Sequence, residues 1–210
     1  MKRAVLFAAA ALSLAACEQK ATEATVPETA ATAPAAAVPA AATEAVNAAQ
    51  DATAGAVGAV SAATTATTNS TEGVINALAT GDMYQVQAGK IAEAKGQTPA
   101  VKAYGKTMAA DHAAMTSQMK HVFEATKQPI PTALDARHKG MIDNLNAASP
   151  ADFDKVYLSQ QKASQDEELA MLKGYAEKGE SADLKPAAEK RIPKVQAHLA
   201  KANELLAAMK

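Results

Sequence analysis

From residue 71 onward, apolar and polar positions alternate with helical periodicity. The clearest stripe is Val101, Tyr104, Met108, His112, Met115, Met119 and Val122, whose steps of three and four place all seven on one helix face. A second stripe holds Phe153, Tyr157, Leu158, Met171, Leu172 and Tyr175, and a third holds Leu184, Ala188, Val195, Ala202, Leu205 and Met209. Strand signals are missing, with few β-branched runs and no Asn-Gly or Asp-Gly hairpin turn. Helix boundaries are marked chemically: Thr98-Pro99 and Ser149-Pro150 each read as an N-cap followed by an N1 proline, Ser181 precedes Asp183 in a first turn, and Gly179 suits a helix end. The pattern predicts four long helices over roughly 73–96, 99–127, 150–178 and 182–208. Short links make the first and second, and the third and fourth, antiparallel neighbours. The connection Gln128 to Ser149 is long and carries a weak helix near Leu134 to Leu145. The expected fold is therefore all-α, a four-helix bundle with one long crossover, the ferritin-like arrangement.

The first 70 residues have a different character. Lys2 and Arg3 precede an apolar run, Ala4 to Ala16, broken only by Ser13. That is a signal-peptide pattern over 1–16, too short for a bilayer-spanning helix of about 20 residues. Leu14-Ala15-Ala16-Cys17 resembles the lipobox of bacterial lipoproteins. The resemblance implies cleavage before Cys17, acylation of that cysteine and stable attachment to a membrane. Residue 18 is Glu rather than Asp, which in enteric-type bacteria implies transfer to the outer membrane, facing the periplasm.

Cys17 is the only cysteine in 210 residues. Once it is acylated, no thiol is left for a disulfide, a thiolate metal site or a nucleophile. Residues 17–70 then read as a disordered tether: from Glu18 to Ser70 there is no Leu, Ile, Met or aromatic residue to offset the entropy of ordering. Such a chain has an r.m.s. reach of roughly 40 Å. Residues 71–210 are the domain. The 21 Lys+Arg nearly balance the 22 Asp+Glu, no long basic run occurs and there is no Trp. The expected partner is the membrane through the lipid anchor, and nucleic acid is not expected.

Candidate chemistry lies in the polar residues inside the stripes. His112 sits within the second helix's apolar face, with Asp111 at its edge. His198 lies on the seam Val195, His198, Ala202, Leu205. The third helix turns polar in its middle at Gln161, Ser164, Gln165 and Glu168, and the first brings Asp82 and Gln85 one turn apart. Ferritin-like di-metal centres need Glu-x-x-His from two helices, and no Glu-x-x-His occurs. Two readings stand. His112 and His198 are partly buried histidines hydrogen-bonded to Asp111, Gln165 or water, or His112, His198 and Asp111 form a weak divalent-metal site beside a polar core layer of Gln85, Gln165 and Glu168. His121 and His138 fall outside the stripes and are expected in solvent. Pro193, five residues before His198, removes one helical hydrogen bond and predicts a kink.

The stretches GDMYQVQAGKIAEAK, VKAYGKTMAADHAAM, FDKVYLSQQ and IPKVQAHLAKA resemble the bacterial ferritin-like envelope proteins grouped as domain of unknown function 4142. Asp111-His112, Phe153-Asp154 with Tyr157, and Pro193 with His198 are the most specific marks. The resemblance implies an envelope protein of no agreed activity. It also implies Glu where this chain has Gln85 and His where it has Gln165. An amide is a poor transition-metal ligand, so no cofactor is expected.

No Ser/His/Asp nucleophile arrangement or Gly-rich phosphate loop stands out. The leading expectation is a non-enzymatic envelope lipoprotein acting by binding or in stress protection. The alternatives are a periplasmic metal-binding or metal-storage protein using His112 and His198, and an interaction module for an envelope partner.

Overall fold

The structure is a computed structural model, in which residues 69–209 are described. The leader, Cys17 and nearly all of the tether lie outside the described residues. Five helices follow in order: α1 Thr71–Lys95, α2 Pro99–Thr126, α3 Ala136–Ala147, α4 Pro150–Lys178 and α5 Leu184–Ala208. Among the described residues there is no strand. The expected all-α bundle with one long crossover is what forms.

The helix starts follow from capping. Ser70, Thr98, Asp135 and Ser149 each accept a backbone N–H of the first turn through the side chain, and Pro99 and Pro150 begin their helices. The crossover helix starts at Ala136, slightly later than its sequence pattern suggests, because Asp135 is the residue that caps it.

Helices α1 and α2 pack as one antiparallel hairpin and α4 and α5 as another. The two hairpins meet through α1 against α4 and α2 against α5, which leaves α1 and α5 on one diagonal. The crossover carries α3 back along the outside of α1 and α4. Two glycines permit the tight α1–α2 approach. A Cβ on Gly89 would lie 2.5 Å from the Gly105 carbonyl oxygen, and one on Gly105 would lie 2.7 Å from that of Gly89.

Asp154 of α4 accepts the backbone N–H groups of Gln97 and Thr98 at 2.7 and 3.0 Å, tying the α1–α2 turn to the other hairpin. Asp154 therefore anchors a turn, and beside it Phe153 and Tyr157 stack at 6.3 Å.

The apolar core forms two clusters. One is built around Tyr84, Tyr104, Met108, Phe153, Tyr157 and Leu158, and the other around Ile75, Leu78, Phe123, Leu172, Tyr175 and Val195. Polar residues from all four long helices occupy the middle. Three edges of the sequence pattern are corrected. Phe123, four residues after Met119, is buried where Val122 was expected, and Val122 is half-buried. Met209 lies beyond the end of α5 and is 44% exposed. His138 is buried rather than solvated, because α3 folds back and lays its ring 5.2 Å from that of Tyr84. His121 is exposed, as expected.

Candidate functional site: a salt-locked polar layer

The layer starts from Asp82 on α1, which is 1% exposed. One helical turn of spacing brings it opposite His112 and Thr116 of α2: Asp82 Oδ1 is 2.7 Å from His112 Nδ1, and Oδ2 accepts the Thr116 hydroxyl at 3.0 Å. A buried carboxylate of this kind must be paired. Its main partner is Arg191 of α5, which donates Nη1 to Asp82 Oδ2 at 3.0 Å and Nη2 to Oδ1. The Arg191 Nε donates to Glu168 of α4. One guanidinium thus joins two carboxylates from two helices, a geometry suited to its planar fork.

The electrostatics follow from this pairing. Burial pushes Asp82 up, but the hydrogen bond from His112 and the charge of Arg191 outweigh it and hold the carboxyl below its ordinary value. Burial disfavours the Arg191 charge, and Glu168 and Asp82 more than restore it.

A second pair lies next to the first. His198 Nε2 meets Asp111 Oδ2 at 2.8 Å, and Lys194 reaches the same oxygen at 3.2 Å. Burial lowers the pKa of His198 despite Asp111. Asp111 also feels a burial cost, but it is less enclosed, and the hydrogen bond from His198 and the hydrogen bond and charge of Lys194 hold its pKa down. The rings of His112 and His198 lie 5.3 Å apart. Tyr104 donates its hydroxyl to the His198 carbonyl at 3.0 Å, fixing α5 just past Pro193, where the helix runs on unbroken.

Of the residues singled out from sequence, the fold gathers His112, His198, Asp111, Gln165 and Glu168 in or beside this layer. Gln165 Nε2 lies 3.4 Å from His112 Nε2. Gln85 is 2% exposed and lines a cleft that Glu168 and Arg191 also line. The Oε1 atoms of Gln85 and Gln165 and Nδ1 of His198 have no hydrogen-bond partner among the described residues.

Arg191 escaped the sequence reading, although its position could have been found. The α5 seam steps from Ala188 to Val195, and Arg191 is the residue three after the first and four before the second.

A metal fits this donor set poorly. The two carboxylates of the layer's centre, Asp82 and Glu168, already serve Arg191, and His112 and His198 each have one ring nitrogen committed to an aspartate. Among the described residues no three His, Asp or Glu side chains are grouped to share a metal ion.

No curated protein and no solved structure matches the chain. The family model described as Domain of unknown function (DUF4142) matches residues 56–205, beginning inside the stretch read as tether and covering the bundle almost to its end. With the salt-locked layer inside that match, the chain belongs to this family of domains of unknown function.

Proposed function

We propose that the protein is a lipid-anchored, non-enzymatic helical bundle of the cell envelope that acts by binding, its mid-bundle layer closed by an internal ion pair. The observation that carries this reading is Arg191. Its guanidinium lies between Asp82 and Glu168, the place where carboxylates of two helices would otherwise share a cation. A fixed organic cation satisfies the carboxylates without supplying Lewis acidity or redox chemistry. Anchoring rests on Leu14-Ala15-Ala16-Cys17 and the basic and apolar segments before it. Among the described residues no helix is long and apolar enough to cross a membrane.

Metal titration of the purified full-length protein tests the layer. The native chain is expected to take up manganese or iron at well under one equivalent, and Arg191→Met to bind more by freeing Asp82 and Glu168. A tightly held full equivalent in the native chain would replace this reading with a metal-binding one using His112, His198 and Asp111. Fractionation of cells expressing Cys17→Ala tests the anchor. Release from the membrane fraction is expected, and retention in both low and high salt would count against it.

A further inference from the structure

A cleft of about 430 Å³ opens between α1 and α4, beside the start of α3. Its volume is in the range of small-molecule sites. Two glycines line it, Gly81 on α1 and Gly174 on α4. Glycine inside a helix costs about 1 kcal/mol relative to alanine, so its presence calls for a reason. At Gly89 and Gly105 the reason is backbone contact. At Gly81 and Gly174 a Cβ would meet nothing within 4 Å, so packing does not require them. What they do is leave the cleft open.

The polar lining selects the ligand chemistry. The guanidinium and imidazole groups of the cleft already hold carboxylates: Arg191 on Asp82 and Glu168, Arg137 on Glu167 at 2.6 Å, and His138 on Asp135 at 2.7 Å, while the Ser164 hydroxyl has no partner among the described residues. Acceptors remain. Gln85 is 98% buried, since its exposure is 2%, and its Oε1 has no partner. Along the lining, the three carboxylates Asp135, Glu167 and Glu168 outnumber the two guanidinium groups Arg137 and Arg191, leaving an excess of one negative charge. The walls, including Leu78 and Met171, are apolar. An unpartnered acceptor and an excess of negative charge beside apolar walls call for a donor-rich cation on an apolar body.

We propose that this cleft binds a small organic amine, its ammonium group on Gln85 and Glu168 and its apolar part along Leu78 and Met171. This gives the binding role above a site and a ligand class, and rests on that reading only for the idea that the protein acts by binding.

The test is calorimetric titration of the full-length chain in mild detergent with n-butylammonium, n-butanol and butyrate. Butylammonium is expected to bind at least tenfold more tightly than either of the others. Gly174→Leu should weaken it at least tenfold by filling the cleft, and Gly81→Leu provides a second blocking variant on the opposite wall. Gly140→Leu is the control, an exposed helical glycine outside the cleft whose Cβ also meets nothing. Circular dichroism establishes that each variant is folded. The proposal is overturned if butanol or butyrate binds as well as butylammonium, if butylammonium does not bind at millimolar concentration, or if the folded blocking variants bind like the native chain. Anchoring is read separately by fractionation of Cys17→Ala, so failure here leaves the lipoprotein reading standing, and failure there leaves the cleft standing.

Discussion

Arg191 and Asp82 meet across the diagonal of the bundle, joining α5 to α1 through two guanidinium–carboxylate contacts. These helices are not packing neighbours, so the ion pair does what backbone proximity does not. It links the two hairpins through the middle of the core, where the apolar clusters on either side leave a polar gap. Such a pair need not stabilise the fold more than an apolar core of the same volume would. Breaking one side of it is a different matter.

Arg191→Met is expected to cost about 3–5 kcal/mol, because it leaves Asp82 buried without its cation and Glu168 without its donor. Arg191→Lys should fall between the variant and the native protein, since an ammonium keeps the charge but loses the two-point fit. Urea unfolding of the three proteins measures this. Equal stability of native and Arg191→Met would show that the layer is not locked by this residue.

Acid should destabilise the domain in two stages. Burial holds His198 below its ordinary value of 6.5 in the fold, against the pull of Asp111 and with His112 adding to the lowering. The unfolded chain therefore binds more protons there, and stability falls as pH drops through about 6.5, levelling off below the folded value. Asp82 acts later. Its folded carboxyl is held below 3.8, so its contribution is complete above that value and is lost as pH falls through the folded one. Thermal melts from pH 8 to pH 3 trace both stages, and His198→Gln should flatten the first. An unchanged slope between pH 7 and pH 5 in that variant would rule out His198 as its source.

Gly89→Ala should lose roughly 1–3 kcal/mol, because the added Cβ collides with the backbone of α2 and overpacks the hairpin. Gly140→Ala should instead gain up to about 1 kcal/mol, because its Cβ meets nothing and helix propensity alone acts. The comparison is made by denaturant midpoints at equal slope, and the same sign for both would contradict the close crossing of α1 and α2.

Asp154→Ala is expected to cost roughly 1–3 kcal/mol by leaving two backbone N–H groups of the α1–α2 turn without their acceptor. Hydrogen exchange should quicken at Gln97 and Thr98 while the middle of α2 stays protected. Slow exchange at both amides in the variant would mean that another acceptor serves them.

Local chemistry made most of the architecture readable from the chain. Capping by Thr98 and Ser149, the prolines after them and the stripe from Val101 to Met119 act over one to four residues, so order and helical phase could be derived without knowing the partners. The same phase turned His112 and His198 inward, and both are buried. The Asp111 partner of His198 and the Gln165 neighbour of His112 were within reach of the same reasoning.

What the tertiary structure alone decided is who meets whom across the bundle. The seam phase places Arg191 on the inner face of α5, but nothing in the sequence names its partners; a lone arginine on a helix ordinarily faces water, and only the convergence of Asp82 from α1 and Glu168 from α4 makes its burial tolerable. His138 shows the same limit, since its burial depends on α3 returning along α1 to reach Tyr84. Helical periodicity orients a side chain relative to its own axis, whereas a long-range ion pair depends on the rotation and register of helices separated by more than 100 residues, which the packing of the whole core sets.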